Sequence, residues 1–479
     1  MRRTKIVCTL GPASSDEAVM EKMLLAGMNV ARLNFSHGTH PSHLEMIKRF
    51  RRVRDRLGLA AAIMLDTKGP EIRLGQVAPG ADLTEGQPFL LTTRDVLGDA
   101  HQACITYADL PQQLQIGNQI LVDDGRITLE VERTEQTEVF CRVVHGGPIS
   151  THKGVNVPRV HLSMPYMSPQ DQADVLFGIE HDVDFIAASF VRTRQDVVDL
   201  RKFIDYHGGH DIKIISKIEN IEGIENFDAI LDASDGIMVA RGDMGVEIEY
   251  ERLPGLQKKF IRQCYQKGKM VITATQMLDS MISNPLPTRA EITDVANAVF
   301  DGTSAVMLSG ESANGKYPVR AVEVMARIAE QAERDAFEMH IYKDIPYDMD
   351  EADTTNAICD ATCTTARDLK AKVIIAVTKS GQTARRMSKF RPHEPIVAAT
   401  PLIKTFHQLS LSWGVYPVLA LYQTGSDALF IHAIDCAKQI DMVSDGDRVV
   451  ITPGLPLARA GNTNILKVQI VGDTEKYDA

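Results

Sequence analysis

Polar side chains follow several short apolar segments of the sequence, and their types suit phosphate chemistry. They are Arg32, Asn34, Ser36, Asp66, Thr67, Arg73, Lys217, Glu219, Asp243 and Thr275. The carboxylates of Glu219 and Asp243 provide the oxygen ligands that Mg²⁺ prefers in proteins. The cations Arg32, Arg73 and Lys217 could stabilise a phosphoryl group, because its charge spreads over three oxygens during transfer. These residues predict phosphoryl transfer on an anionic substrate.

Three alternatives to phosphoryl transfer are compatible with the same residues. The charges could form a structural ring of ion pairs without chemistry. Lys217 could form a Schiff base, as in barrel lyases of the aldolase kind, although Glu219 and Asp243 would then hold a metal beside the amine. The chain could also be a catalytically silent sugar-phosphate sensor, although Lys217 and both carboxylates are present. Neither a GxxxxGK[ST] nor a GxGxxG motif occurs, so neither common phosphate loop would hold a nucleotide.

Eight short segments rich in β-branched residues alternate with amphipathic stretches of helical spacing, which is typical of a parallel α/β fold. The segments are residues 5–10, 29–35, 60–66, 183–190, 212–219, 236–240, 270–275 and 304–309. Eight β/α units predict a closed (β/α)₈ TIM barrel, formed by residues 1–70 and 165–343. In such a barrel the active site lies at the C-terminal ends of the strands, where the polar residues occur.

Two further regions differ from the barrel pattern. Residues 71–164 lose helical periodicity, and residues 127–133 and 138–144 alternate with period two, which predicts an inserted small β-barrel lid domain. The dipeptide Asp124-Gly125 suits a tight hairpin turn. Residues 344–479 return to strand and helix alternation, with a first helix at 355–369 and strands at 373–377, 396–399, 415–420, 448–451 and 466–471. They predict a C-terminal open-sheet α/β regulatory domain.

Composition excludes several classes of function for this chain of 479 residues. It carries 52 Lys and Arg against 63 Asp and Glu, a formal net charge of −11, which argues against nucleic acid or an anionic membrane as a partner. No apolar run approaches the roughly 18 residues of a membrane span. The seven cysteines are scattered, which favours reduced structural thiols over disulfides or zinc. We therefore expect a soluble cytoplasmic protein.

Six motifs together resemble those of the pyruvate kinases, and the resemblance covers nearly the whole chain. They are Asn-Phe-Ser-His-Gly at 34–38, Leu-Asp-Thr-Lys-Gly-Pro-Glu-Ile-Arg at 65–73, Ile-Ser-Lys-Ile-Glu-Asn at 215–220, Met-Val-Ala-Arg-Gly-Asp at 238–243, Thr-Ala-Thr-Gln-Met-Leu at 273–278 and Val-Met-Leu-Ser-Gly-Glu at 306–311. The chain looks most similar to the bacterial, sugar-phosphate-activated type. The resemblance implies a homotetramer that converts phosphoenolpyruvate and ADP to pyruvate and ATP, the last step of glycolysis.

The resemblance also implies roles for the substrate and metal residues. The set comprises Arg32, Lys217, Glu219, Gly242, Asp243, Thr275 and Ser309. Lys217 would stabilise the phosphoryl group and the developing enolate, and Arg32 would contact the phosphate. Glu219 and Asp243 would bind Mg²⁺ or Mn²⁺, and the backbone at Gly242 with Thr275 would hold the substrate carboxylate at a helix N-terminus. The proton donor to enolpyruvate stays open between Thr275 and a water relay that includes Ser309 and Glu311.

Cation and nucleotide contacts follow from the same likeness. Asn34, Ser36, Asp66 and Thr67 match the K⁺ site of the family. Glu71 implies K⁺ dependence, since relatives with Lys at this position resemble K⁺-independent enzymes. The matched ADP-side contacts are Asn34, His37, Arg73 and Lys153, although His37 could instead only cap the local turn. Because Lys153 lies near the return of the insert, the insert would act as a lid that excludes water.

A candidate effector site lies in the C-terminal region. Its residues are Thr378, Lys379, Ser380, Gly381, Gln382 and Thr383, which follow a strand and open a helix, with Arg459 and Gly461 in a later loop. Hydroxyls and backbone N–H groups at a helix N-terminus can bind an anion, although simple helix capping is the alternative. The stretch resembles the effector loop of the pyruvate kinases. Gln382 departs from relatives that carry Lys, so fructose 1,6-bisphosphate and a hexose or pentose monophosphate both stay candidates.

Overall fold

The first strands and helices of the chain alternate as the sequence predicts. The structure is a computed structural model that describes residues 1–342, 353–454 and 463–473. The elements are β1 (Lys5–Thr9), α1 (Glu17–Ala26), β2 (Val30–Asn34), α2 (His40–Leu57) and β3 (Ala62–Asp66). The Asp16 side chain caps α1 by accepting from the Ala18 amide. Gly27, at φ +118°, ends the helix in the left-handed conformation.

Residues after β3 leave the barrel and form a separate β domain with its own apolar core. Its elements are β4 (Ile72–Arg73), β5 (Asp82–Leu83), β6 (Pro88–Thr92), β7 (Gln102–Cys104), α3 (Leu110–Gln113), β8 (Gln119–Val122), β9 (Ile127–Thr134), β10 (Glu138–His145), β11 (Gly147–Pro148) and β12 (Gly154–Asn156). Seven strands pair in the order β4-β12-β8-β9-β10-β6-β7, and β5 pairs with β11. Asp124 and Gly125, both at positive φ, lie in the predicted turn between β8 and β9.

The chain then returns to the barrel and completes it. The elements are α4 (Pro169–Glu180), β13 (Phe185–Ala188), α5 (Arg194–Tyr206), β14 (Lys213–Ile218), α6 (Ile221–Glu225), α7 (Phe227–Ala233), β15 (Gly236–Ala240), α8 (Arg241–Glu247), α9 (Leu253–Gln266), β16 (Met270–Ala274), α10 (Arg289–Phe300), β17 (Ala305–Leu308), α11 (Gly310–Ala313) and α12 (Pro318–Glu338). Eight parallel strands close in the order β1-β17-β16-β15-β14-β13-β3-β2. The predicted TIM barrel is confirmed.

The C-terminal region forms an open α/β sheet, also as predicted. Its elements are α13 (Thr354–Asp368), β18 (Val373–Val377), α14 (Gln382–Lys389), β19 (Ile396–Thr400), α15 (Ile403–Gln408), β20 (Val415–Leu419), α16 (Ser426–Gln439), β21 (Arg448–Thr452) and β22 (Lys467–Ile470). The strand order is β20-β19-β18-β21-β22, and only the β21–β22 pairing among these is antiparallel. Across the described ranges, no helix is long and apolar enough to cross a membrane.

The C-terminal domain packs against the N-terminal face of the barrel. Lys5, at the start of β1, donates from Nζ to the Val415 carbonyl at 2.6 Å. Gln408 of α15 donates to the carbonyls of Asp184 and Asp211, which lie before β13 and β14. These contacts occupy the bottom of the barrel and leave the C-terminal ends of the strands facing the inserted β domain.

Candidate active site

Asp66, at the end of β3, is the centre of a buried charge cluster. Its Oδ2 accepts from Arg32 Nε at 2.6 Å, and its Oδ1 accepts from Lys217 Nζ at 3.1 Å. Arg32 is held further by Thr9, whose Oγ1 accepts from Nη1 at 2.9 Å. Burial raises the pKa of Asp66, but the charges of Arg32 and Lys217 outweigh burial and leave this pKa below its usual range. Asp66 is therefore an ionised carboxylate that orients both cations.

Lys217, at the end of β14, is surrounded by acceptors. Besides Asp66, Nζ contacts Glu219 Oε1 at 2.9 Å and donates to Ser189 Oγ at 2.7 Å. Burial alone would lower the pKa of Lys217, yet the nearby charges of Asp66 and Glu219 raise it above its ordinary value. The ammonium is thus a fixed, buried positive charge that faces the C-terminal end of the barrel.

The carboxylates of Glu219 and Asp243 interact, since each one affects the pKa of the other. Burial, opposed by Lys217 and reinforced by Asp243, raises the pKa of Glu219 to about 7, and burial also raises the pKa of Asp243. The Phe190 amide donates to Glu219 Oε2 at 2.6 Å and fixes that side chain. Asp243 thus adds to the rise in the pKa of Glu219, and the oxygens of these two neighbouring carboxylates could hold a cation.

The chemistry of this donor set fits Mg²⁺. Among the described residues, no group of three or more His, Cys, Asp or Glu side chains is arranged to hold a metal. A magnesium ion needs no such cage, because it is typically bound through one or two carboxylates and keeps waters and phosphate oxygens as its other ligands. Glu219 and Asp243 meet that requirement.

The residues predicted to hold a monovalent cation lie on neighbouring strand ends. Asn34 and Asp66 are paired across β2 and β3, and Asn34 Oδ1 accepts from the Ser36 amide at 3.2 Å. The Thr67 carbonyl accepts from Ser189 Oγ at 2.6 Å. The side-chain oxygens of Asn34 and Asp66 and the carbonyl of Thr67 belong to these neighbouring strand ends, and oxygen ligands of these kinds fit K⁺.

Thr275 lies directly after β16 in an unusual backbone conformation. Its φ is +69° and that of Gln276 is +54°. Thr275 Oγ1 donates to the Ala274 carbonyl at 2.6 Å and accepts from the Gly242 amide at 2.8 Å. The structure therefore brings together Gly242 and Thr275, as the sequence predicts.

Ser309 and Glu311 lie at the end of β17. The Oγ atom of Ser309 is buried and has no hydrogen-bond partner in the described part of the chain. Glu311 accepts from the amides of Ser309 at 2.7 Å and Leu278 at 3.1 Å. Burial raises the pKa of Glu311. Glu311 thus connects two strand-end loops, while the Ser309 hydroxyl stays available.

A cleft of about 690 Å³ separates the inserted domain from the barrel. Arg73 and Lys153 line it together with Glu71 and Asp243. Lys153 Nζ contacts Asp123 Oδ1 at 2.7 Å, and the Arg73 guanidinium is paired with Glu71. His37 is not among the lining residues, and its carbonyl accepts from His43 Nε2 at 2.8 Å.

The predicted effector loop joins β18 to α14. The Gly381 amide donates to Thr378 Oγ1 at 3.0 Å, and Thr405 Oγ1 donates to the Lys379 carbonyl at 2.7 Å. Thr383 Oγ1 lies 2.7 Å from Thr463 Oγ1. Thr463 therefore contacts the start of α14, beside the predicted effector loop. Arg459 and Gly461 lie outside the described residues.

Two contributors to the site, Ser189 and Arg241, received no role from the sequence. Ser189 directly follows β13 and is 1% exposed, and Arg241 opens α8. The same rule that selected the other strand ends would have found Ser189, because it is the polar residue after Phe185–Ala188. No sequence signal would have shown what the Arg241 side chain contacts.

Comparisons with known proteins agree with this geometry. Residues 1–322 match the family model for the pyruvate kinase barrel domain, and residues 356–469 match that for the pyruvate kinase alpha/beta domain. The pyruvate kinase of Clostridium acetobutylicum is 47% identical over 481 residues, covering 98% of this chain and 100% of that protein. The pyruvate kinase of Staphylococcus haemolyticus is 48% identical, covering 99% of this chain and 81% of that protein. A crystal structure of a pyruvate kinase from Cryptosporidium parvum superposes with a TM-score of 0.90 at 38% identity, covering 98% and 96% of the two chains.

Proposed function

The chain belongs to the pyruvate kinase family of phosphotransferases, and on that premise we propose that it transfers the phosphoryl group of phosphoenolpyruvate to ADP. The products are pyruvate and ATP. The observation that carries the proposal is the buried Lys217 ammonium, held by Asp66, Glu219 and Ser189 at the C-terminal ends of the barrel strands. A fixed positive charge in a buried site stabilises developing negative charge without reorganisation during the reaction.

Phosphoryl transfer breaks the bond between phosphorus and the enol oxygen while an ADP β-phosphate oxygen forms the new bond. Arg32 and Lys217 contact the phosphoryl group, and Lys217 also stabilises the enolate left behind. Both side chains are oriented by Asp66, which supports their action as a unit. The substrate carboxylate binds at Gly242 and Thr275, with Asp243 beside it.

Protonation of the enolate at carbon then gives pyruvate. Thr275 Oγ1 already donates to the Ala274 carbonyl, which disfavours it as the proton donor. The buried Ser309 hydroxyl has no partner among the described residues and lies beside Glu311, which supports a relay through Ser309 and water.

Two cations complete the proposal. Glu219 and Asp243 hold Mg²⁺, or Mn²⁺, which neutralises charge on substrate oxygens when bound. Asn34, Ser36, Asp66 and Thr67 hold K⁺, which adds a further positive charge near the phosphoryl group. Glu71 lines the cleft. Its carboxylate supplies no positive charge, which is consistent with a requirement for K⁺.

The nucleotide occupies the cleft between the barrel and the lid. Arg73 and Lys153 line it and supply positive charge for the diphosphate. Asn34 and His37, which do not line the cleft, are proposed as further contacts to the nucleotide. We propose that the chain is divided into a barrel of residues 1–70 and 165–343, a lid of residues 71–164 and a regulatory domain of residues 344–479.

Closure of the lid excludes water that would otherwise accept the phosphoryl group.

A sugar phosphate binds the C-terminal domain and activates the enzyme. Residues 378–383 supply hydroxyls and the amides that open α14. The proposal keeps Arg459 and Gly461, which lie outside the described residues, as further effector contacts predicted from the sequence. Either fructose 1,6-bisphosphate or a hexose or pentose monophosphate is the ligand. The proposal also includes a cytoplasmic homotetramer.

The decisive experiment measures pyruvate formation from phosphoenolpyruvate and ADP with Mg²⁺. It is run with and without K⁺ and with a panel of sugar phosphates. Turnover that requires K⁺ and rises with one sugar phosphate supports the reaction, the cation site and the effector site together. Absence of turnover, combined with borohydride trapping of a substrate on Lys217, would support the lyase alternative instead.

A further inference from the structure

The side chain of Arg241 is buried under the strand ends and has no role in the proposed chemistry. It is 9% exposed and makes contacts in three directions. Nε donates to the Ala274 carbonyl at 3.2 Å, and Nη2 donates to the Thr275 carbonyl at 2.6 Å. Nη2 also lies 2.8 Å from Met277 Sδ. Arg241 therefore bonds the carbonyls of the two peptide groups that flank Thr275.

Asp294 of α10 anchors this guanidinium. Its carboxylate lies 2.7 Å from Arg241 Nη1, and the Asp294 side chain is 35% exposed. Because the carboxylate is fixed on a helix, it sets the plane of the guanidinium and hence the direction of the other donors. The pair connects α10 to the segment after β16.

The backbone that Arg241 holds is one that the chain rarely adopts unaided. Thr275 and Gln276 both have left-handed φ values, and Thr275 is β-branched, which makes this conformation unusual. Such conformations persist when surrounding contacts determine them, and they cluster at functional sites. The carbonyl contacts from Arg241 are contacts of that kind.

We propose that Arg241, anchored by Asp294, is a positioning residue that fixes the Thr275–Gln276 backbone and so sets the place where the substrate carboxylate binds. Thr275 Oγ1 accepts from the amide of Gly242, the residue directly after Arg241. One side chain therefore fixes both the loop after β16 and the start of α8 relative to each other. This inference rests on the proposed function, since it assumes that Gly242 and Thr275 receive the carboxylate.

The geometry requires arginine in particular. The acceptors lie in different directions, and a planar guanidinium with five donors can reach them together, whereas a lysine ammonium is a single point on a flexible stem. Arg241→Lys keeps the positive charge and removes the planar guanidinium with its several donors. Asp294→Asn keeps the volume and removes the anchoring charge.

The test compares Arg241→Lys and Asp294→Asn with wild type, and Arg201→Lys is the matched control. Arg201 also pairs with a carboxylate, Asp235 at 2.9 Å, and bonds a backbone carbonyl, but near the start of β14. We expect Arg241→Lys to raise KM for phosphoenolpyruvate about tenfold or more, the size of a lost charged hydrogen bond, with KM for ADP changed by less than about twofold. Asp294→Asn should raise KM for phosphoenolpyruvate by a smaller factor.

Three outcomes overturn the inference. An unchanged KM for phosphoenolpyruvate in both folded variants removes the positioning role, and an equal rise in both KM values indicates general loosening. Amide hydrogen exchange of residues 275–278 provides a readout independent of turnover, and it should speed up in Asp294→Asn even if Arg241→Lys fails to fold. Unchanged exchange overturns the inference, whereas lack of wild-type turnover overturns only the proposed function.

Discussion

Asp66 Oδ1 lies 3.1 Å from Lys217 Nζ, although the two residues are separated by the entire inserted domain in the sequence. The same carboxylate also receives Arg32. One residue thus belongs to the proposed K⁺ site and at the same time holds both cations proposed to contact the phosphoryl group. A substitution at the proposed K⁺ site should therefore alter binding of the phosphoryl group, and a substitution at the phosphoryl site should alter K⁺ binding.

Replacing Lys217 by Met should lower kcat by at least about 10²-fold, the effect of losing one preorganised charge stabiliser. Steady-state kinetics with saturating phosphoenolpyruvate and ADP measure it. Lys213→Met is the matched control, because Lys213 lies on the same strand at its opposite end. A near-normal kcat in Lys217→Met would remove this lysine from its proposed role.

Replacing Glu71 by Lys should relax the K⁺ requirement, because an ammonium in the cleft can supply the positive charge otherwise provided by the ion. The measurement is turnover as a function of K⁺ concentration at constant ionic strength. Glu85→Lys controls for the change in lid charge, since Glu85 is exposed and does not line the cleft. Unchanged K⁺ dependence in Glu71→Lys would contradict the proposed cation site.

Removing the Ser189 hydroxyl should lower kcat about five- to tenfold, because Lys217 loses an acceptor at 2.7 Å worth about 1 kcal/mol. Ser189→Ala is compared with Ser234→Ala, another buried serine whose hydroxyl donates to the Ile230 carbonyl away from the site. Both variants should lose similar stability in urea unfolding. If both also lose similar activity, Ser189 contributes to folding alone.

Ser309→Ala should uncouple phosphoryl transfer from protonation. Exchange of the methyl protons of pyruvate with D₂O, followed by NMR, reports the proton relay and should slow by about 10²-fold. Thr275→Val is the comparison, because it removes the other candidate hydroxyl. The Ser309 relay would be wrong if Thr275→Val stopped the exchange while Ser309→Ala left it intact.

Lys404→Met should weaken the docking of the C-terminal domain. Lys404 Nζ donates to the Val183 carbonyl at 2.6 Å and lies 3.6 Å from the buried carboxylate of Asp184. Losing one partner of a buried charge pair costs up to about 3 kcal/mol of unfolding free energy near pH 7. Lys438→Met, which removes an exposed ion pair with Asp445, should cost less than about 1 kcal/mol.

The loss in Lys404→Met should depend on pH. Burial raises the pKa of Asp184 above its ordinary value of 3.8, and Lys404 opposes that rise. The folded state therefore binds this proton more tightly than the unfolded chain, so ionisation of Asp184 lowers stability as pH rises above about 4. Urea unfolding at pH 5 should show a smaller loss than at pH 7.5. Equal losses at the two pH values would show that Asp184 is not involved.

The sequence was sufficient for the fold, and it also predicted most of the polar residues that the structure gathers at the strand ends. Near-continuous apolar strands with polar residues after them predict parallel strands buried on both faces, and the carboxyl ends of such strands must meet at one face of a barrel. That rule alone predicts that five polar residues lie at one face of the barrel, without knowledge of which strands are neighbours. They are Arg32, Asp66, Lys217, Asp243 and Thr275.

Only the tertiary structure decided which side chains touch. Barrel closure places β13 between β3 and β14, with Ala187 opposite Asp66 and Ala188 opposite Ser216, and this register puts Ser189 between Asp66 and Lys217. Likewise, the reach of Arg241 to the carbonyls after β16 depends on the pairing of β15 with β16. Strand periodicity determines which face a residue occupies, whereas contacts of about 3 Å depend on strand order and register, which the closing of the whole barrel sets.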